Sequence, residues 1–323
     1  MADTGARGRL PDFFIVGQPK SGTTALYEML RRHPEIFMPD SKEPWFFAQE
    51  LRERRPPRPG GTPETLEQYT ALFAPAGSSQ RAGEATVLYL WSPTAAAAIA
   101  DVQPRARIIA ILREPASFLR SMHLQLLQIR IENEPSLRRA IALEDERRQG
   151  RALTKTVERW PQVLLYTDRV RYVEQLRRYH ALFGPEQVLV LIYDDFRADN
   201  DAVLRRVLRF LQVDETADIE TLRANPTVRV RSARLEDMVT AANLGQGSLA
   251  RAVKRTARIA MPSKRLRDEA FSLLRRRVVL AKPPPEDASF AKELQRRFRG
   301  EVEALSEYLE RDLVALWGYD KLD

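Results

Sequence analysis

The sequence contains no cysteine. Disulfides, thiolate metal sites and cysteine nucleophiles are thereby excluded, and a reducing compartment is compatible with the composition. Histidine is scarce, with only three residues in the chain. No apolar run approaches the roughly 20 residues needed to span a bilayer. The start, MADTGARGRLPDFFIVGQPKSG, does not read as a signal peptide. Its apolar stretch Phe13–Val16 is too short and leads straight into a glycine-rich turn. The expectation is a soluble, cytoplasmic protein.

What is present is a chain of 323 residues, 44% of them hydrophobic, which suffices for a sizeable core. No linker divides it convincingly, so a single domain over 1–323 is expected, with 1–11 as a loose leader. The formal net charge is +8. Such an excess fits nucleic acid, a membrane surface or an anionic small molecule. Eleven Lys/Arg residues lie between Arg251 and Lys282, opposed only by Asp268 and Glu269. Nucleic acid is not expected, because no aromatic stacking pattern accompanies this cluster.

Phe13–Gly17 reads as a short buried strand, and Thr23–Arg32 as a helix with Ala25, Leu26, Met29 and Leu30 on its apolar side. Further strands are expected at Ile36–Met38, Thr86–Leu90, Arg107–Leu112 and Val188–Ile192. Helices are expected at Thr65–Leu72, Pro93–Asp101, Pro115–Ile129, Arg169–Phe183, Ala202–Leu211 and Phe290–Leu313. Residues 52–63 read as an exposed loop, and 225–285 as a basic, largely helical region. Apolar strands separated by helices predict an α/β fold: a central parallel sheet flanked by helices, with a P-loop-like strand–loop–helix phosphate site. Ligands in such folds bind at the carboxyl ends of the strands.

The loop Gly17-Gln18-Pro19-Lys20-Ser21-Gly22-Thr23-Thr24 carries the chemistry of an anion site. Its glycines permit tight turns, and the backbone N–H groups at the helix start converge on one anion. Lys20 adds a charge, and Ser21, Thr23 and Thr24 add hydroxyls. An ATP or GTP loop would read G-x-x-x-x-G-K-[ST]. Here Thr23 stands in place of the lysine, and the second apolar strand ends in Arg113 rather than a metal-holding aspartate. Both departures argue against Mg-nucleotide hydrolysis.

The segments PKSGTT, KEPWFF and ILREPASFLRS resemble the PAPS-dependent sulfotransferases, in particular the heparan-sulfate-type branch and its bacterial relatives. The resemblance covers about residues 12–125, continues over 169–212 through YVEQLRRYHALFGPEQVLVLIYDDF, and returns at the last helix. It implies a sulfotransferase domain that moves a sulfuryl group from PAPS to a hydroxyl on a sugar, lipid or secondary metabolite. Adenosine 3′,5′-bisphosphate would be released, and no metal is required. It places Lys20, Ser21, Gly22, Thr23 and Thr24 on the 5′-phosphosulfate, and Arg113 and Ser121 on the 3′-phosphate. A guanidinium fork with a hydroxyl suits a phosphate monoester.

The resemblance makes Glu43 the base that takes the acceptor proton. Glu84 is its rival, either as a base or as a group that orients the acceptor or Lys20. The family often follows that glutamate with lysine, threonine and proline, whereas this chain has Ala85, Thr86 and Val87. His123, close to Ser121 on one helix, is a further candidate base. Lys42 would meet the sulfonate or the acceptor, or is solvated. Tyr193, Asp194 and Asp195 would serve packing or acceptor recognition. The basic segment 251–282 would hold the adenine-side phosphate, an acidic acceptor or a membrane surface, or is a solvated helical face. The alternatives to a sulfotransferase are a nucleotide-dependent kinase with a degenerate loop and a non-enzymatic basic nucleic-acid-binding module.

Overall fold

The computed structural model describes residues 8–52, 62–155, 157–158, 160–222, 229–230, 280–281, 285 and 287–322. The basic segment 251–282 lies outside the described residues apart from Leu280 and Ala281, and so does the Arg/Pro-rich loop apart from 52, 62 and 63. The chain groups into two compact units. The larger comprises Met1–Met122, Glu134–Asn225 and Ala288–Asp323; the smaller comprises His123–Asn133 and Pro226–Asp287.

The larger unit is built on five parallel strands: β1 (Phe13–Gly17), β2 (Ile36–Phe37), β3 (Arg81–Ala85), β4 (Arg107–Leu112) and β5 (Val188–Ile192), in the order β2-β3-β1-β4-β5. The helices that follow in chain order are α1 (Thr23–Leu30), α2 (Gln49–Arg52), α3 (Leu66–Ala71), α4 (Ala95–Val102), α5 (Pro115–Gln128), α6 (Leu137–Ala142), α7 (Glu144–Arg148), α8 (Tyr172–His180), α9 (Tyr193–Ala198) and α10 (Asn200–Leu211). A long helix, Ala288–Tyr308, comes near the end of the chain. In the smaller unit, among the described residues, β6 (Arg229–Val230) pairs antiparallel with β7 (Leu280–Ala281).

The strands are apolar on both faces because both faces are covered. Phe13, Ile15, Ile109, Ile111, Leu189 and Leu191 share one core with Leu26, Met29 and Leu30 of α1 and Leu204, Val207, Leu208 and Leu211 of α10. Phe14, Val16, Ile108, Ala110 and Leu112 are buried as well, and Phe14 meets the Phe47 ring edge-on at 5.8 Å. Each such side chain contributes about 1.5–3 kcal/mol by leaving water.

One strand differs from the expectation at Thr86–Leu90. The third strand is Arg81–Ala85, and Thr86–Leu90 forms the turn beyond it. The β-branched and apolar residues favoured the later stretch, but packing selects the earlier one. A side chain at Gly83 would lie 2.1 Å from the Phe13 ring and 2.5 Å from the Met38 sulfur, so only a residue without Cβ fits beside β1. The shift places Glu84 within the strand rather than ahead of it.

The strand order fixes where a ligand belongs. From β1 the chain runs outward to β2 and back through β3; from β4 it runs the other way to β5. The reversal falls between β1 and β4. The carboxyl ends of those two strands therefore flank an open crevice, the usual ligand position in such sheets.

Candidate active site

The loop leaving β1 enters α1 through Gly22, whose φ of 82° is left-handed. A Cβ at Gly22 would also sit 2.7 Å from the Phe196 ring, so glycine is required twice over. No side chain caps α1, and its first turn holds no acidic residue. Its leading N–H groups and the positive end of its dipole are thus left for an anion. Ser21 and Thr23 are buried, whereas Thr24 is exposed. Lys20 makes no ion pair among the described residues. Burial first, and then the charge of Arg113, draw its pKa below the ordinary lysine value.

Arg113 leaves the end of β4. Its Nη1 donates to the Lys20 carbonyl at 2.9 Å, which ties the two strand ends together. Nε and Nη2 donate to Ser117 Oγ at 3.0 and 2.7 Å, and the guanidinium lies 4.8 Å from the centre of the Tyr193 ring. The arginine pKa is lowered chiefly by burial, against the opposing influence of Tyr193 and Asp194. Glu114 instead caps α5. It accepts from the N–H of Ala116 (3.0 Å) and Ser117 (2.6 Å) and from the Tyr319 hydroxyl (2.7 Å). Ser121 is buried one further turn along α5.

Lys42 and Glu43 approach the same loop from the segment after β2. Lys42 Nζ donates to Thr24 Oγ1 at 3.0 Å and lies 3.7 Å from Glu43 Oε1. Burial lowers the Lys42 pKa, and Glu43 partly offsets it. The Glu43 N–H donates to the Ala85 carbonyl at the end of β3, 3.0 Å away, and Trp45 Nε1 donates to Glu43 Oε2 at 3.4 Å. Lys20, Glu43 and Trp45 all have φ near 60°, at 63°, 61° and 61°. Non-glycine residues hold that conformation at a cost of about 1–3 kcal/mol each, and such costs gather at sites where position matters.

Glu84 is fully buried. Its carboxylate accepts from the hydroxyls of Tyr69, of Thr86 at 2.6 Å and of Tyr89 at 3.3 Å. Burial pushes its pKa up to about 7, against the pull of those hydrogen bonds. The aromatic segment after Glu43 roofs this network: Phe46 stacks on Tyr69 at 4.5 Å, and Tyr89 donates no further than Glu84 while accepting from the Phe47 N–H at 3.2 Å.

The fold thus gathers Lys20, Ser21, Gly22, Thr23, Thr24, Lys42, Glu43, Glu84 and Arg113 at the carboxyl ends of β1, β3 and β4. His123 is buried on α5 and belongs to the smaller unit. Asp194 and Asp195 anchor the end of the chain. Asp195 takes a two-pronged pair from Arg311 at 2.6 and 2.7 Å, and Asp194 accepts from Trp317 Nε1 at 3.0 Å. Ser117 went unnoticed in the sequence, although its place four residues after Arg113, at a helix start, carries the signal. Arg169, expected at the start of a helix, lies in a 3-10 turn instead. Among the described residues no group of His, Asp and Glu is placed to hold a metal ion, and no helix is long and apolar enough to cross a membrane.

A model of the sulfotransferase family matches residues 11–218. The membrane-associated sulfotransferase kil1 of Dictyostelium discoideum is 30% identical over 129 residues, which cover 40% of this chain and 26% of that protein. Carbohydrate sulfotransferase 15 of Homo sapiens is 30% identical over 160 residues, covering 36% of this chain and 27% of that protein. The chain matches about a quarter of the length of these relatives. The crystal structure of a sulfotransferase from Alicyclobacillus acidocaldarius superposes with a TM-score of 0.66 at 25% identity, over 95% of this chain and 98% of that one.

Proposed function

The chain belongs to the sulfotransferase family, and from that premise we propose that it moves a sulfuryl group from 3′-phosphoadenosine 5′-phosphosulfate to an acceptor hydroxyl by in-line transfer. One observation carries the choice of donor. Two cationic residues from separate strand ends are locked together, Arg113 on the Lys20 carbonyl, at the point where the strand order reverses. Each charge makes the other costlier to bury, and a ligand with an anion at either end relieves both.

The residues present fit such a donor. The α1 start, Ser21, Thr23, Thr24 and Lys20 would hold the 5′ end. Arg113, with Ser117 and Ser121 on α5, would hold the 3′-phosphate. The donor supplies an activated sulfuryl group; the protein supplies position and charge. Lys20 and the loop N–H groups stabilise the negative charge that grows on the leaving phosphate oxygen. Glu43, held by the Ala85 carbonyl and the Trp45 indole, takes the proton of the acceptor hydroxyl. Glu84 carries its hydroxyl network one strand end away and fixes the floor under Glu43. The acceptor hydroxyl belongs to a sugar, a lipid or a secondary metabolite.

Thermal shift with the sulfated donor, adenosine 3′,5′-bisphosphate, ATP and GTP tests the donor. The first two stabilise the protein if the reading holds; stabilisation by ATP and GTP alone overturns it. Lys20→Ala should lower the transfer rate by about 100-fold or more. Unchanged turnover would remove the loop from the mechanism.

A further inference from the structure

A folded protein seldom leaves a buried polar group without a partner, because its lost hydration is then uncompensated. Among the described residues, four of the seven buried side-chain atoms without a hydrogen bond lie in one stretch of the larger unit. Thr154 Oγ1, Trp160 Nε1, Gln162 Oε1 and Arg169 Nε all belong to it. This stretch holds two short 3-10 turns, Pro161–Leu164 and Thr167–Val170.

Arg169 is the sharpest case. Its side chain is 4% exposed, and its guanidinium makes no hydrogen bond or ion pair among the described residues. The neighbouring Asp168 turns away to Arg148 at 2.7 Å. One face of the guanidinium lies 3.8 Å from the centre of the Trp91 ring, which is only partly buried. Burial pulls the Arg169 pKa down to about 10, against the weaker opposing influence of Tyr166 and Asp168. A buried arginine without a carboxylate is costly unless something else neutralises it.

The position of the stretch says what that would be. The Gln18 side-chain amide, inside the donor loop, donates to the Arg169 carbonyl at 3.2 Å. At the other end, Trp160 meets Trp45 edge-to-face at 5.5 Å, and Trp45 donates to Glu43. The stretch from Trp160 to Arg169 therefore touches both the donor loop and the aromatic segment beside the candidate base. Trp91 keeps part of its ring exposed beside Arg169, the buried Trp160 holds an unpaired N–H, and Arg169 is a planar cation suited to an oxyanion.

We propose that Arg169, backed by Trp91, is the specificity-determining residue of the acceptor pocket, and that the acceptor carries an oxyanion such as a carboxylate or an ester sulfate beside its reacting hydroxyl. The inference rests on the sulfotransferase reading and narrows its substrate class.

The test uses the full chain saturated with adenosine 3′,5′-bisphosphate and calorimetric titration of matched acceptors. The pairs are 4-nitrophenyl β-D-glucuronide against the glucoside, and 4-hydroxybenzoate against 4-hydroxybenzamide. The expected result is at least about tenfold tighter binding of an anionic member than of its neutral partner, a preference that desolvated charge recognition readily supplies. Arg169→Gln should erase that preference and leave nucleotide affinity within about twofold; Arg169→Lys, which keeps the charge, should retain part of it. For whichever acceptor is turned over, Arg169→Gln should raise KM more than it lowers kcat. No preference in either pair overturns the proposal, and so does a preference that survives Arg169→Gln. A tenfold loss of nucleotide affinity in Arg169→Gln also overturns it, by moving the residue to the donor. If the wild-type chain binds no adenosine 3′,5′-bisphosphate, the sulfotransferase reading itself has failed, which is a separate outcome.

Discussion

Glu84 is fully buried and accepts hydrogen bonds from three hydroxyls, whereas Glu43 is partly exposed and meets the Trp45 indole and the Lys42 ammonium. On the proposed function, Glu43 is the base that takes the acceptor proton. Glu43→Gln should therefore lower turnover by about 100- to 10,000-fold while adenosine 3′,5′-bisphosphate still binds, a split that single-turnover rates and calorimetry would check. Glu84 has its effect on stability. Burial raises its folded-state pKa from the ordinary 4.5 to about 7, so the folded chain holds that proton more tightly than the unfolded one. The stabilisation is complete below the unfolded value and is lost as pH rises through about 7. Glu84→Gln cannot titrate, so the wild type should lose stability relative to the variant across that window, by on the order of 1 kcal/mol per pH unit at most. Urea midpoints measured at about pH 5 and about pH 8 would show it; a constant gap between the two proteins would refute it. Both glutamates were visible in the sequence as candidates. The surroundings that distinguish them were not, because Tyr69 and Tyr89 approach Glu84 from α3 and from the turn after β3.

Elements position these residues, and two of their ends can be tested. Gly22→Ala puts a Cβ on the Phe196 ring in a left-handed backbone, so it should cost about 1–3 kcal/mol and reduce donor binding along with stability. Glu114→Ala removes the cap of α5 and should cost about 1–2 kcal/mol, with a measurable fall in melting temperature. The first strand, the glycine turn and α1 were legible because a continuous apolar run followed by glycines has few other solutions. So were β4 and β5. The third strand was misplaced by one stretch, since Arg81–Ala85 has little intrinsic preference for a strand and is held there by the Phe13 ring filling the space above Gly83. The helix expected at Arg169–Phe183 begins at Tyr172 instead, and a 3-10 turn precedes it. That turn carries Arg169, which is why the residue could not be placed from helical periodicity.

At the scale of the molecule, the parallel sheet sets the loop after β1 and Arg113 after β4 on neighbouring strands. A ligand that binds only the folded chain stabilises it by mass action, about 2.7 kcal/mol at a hundred times its Kd. Adenosine 3′,5′-bisphosphate should raise the melting temperature accordingly. In Arg113→Ala the rise should shrink while the ligand-free melting temperature changes less, because Arg113 bonds to the loop through only one carbonyl. An undiminished rise in that variant would separate Arg113 from the donor.

The contacts of the chain's final stretch carry a further consequence. Tyr319 bonds the glutamate that caps α5, Trp317 bonds Asp194, and Arg311 clasps Asp195, next to the tyrosine on which Arg113 rests. Residues more than a hundred positions away in sequence therefore brace the surroundings of Arg113. Loosening them, as in Tyr319→Phe, acts on Arg113 through Glu114 without touching either strand end.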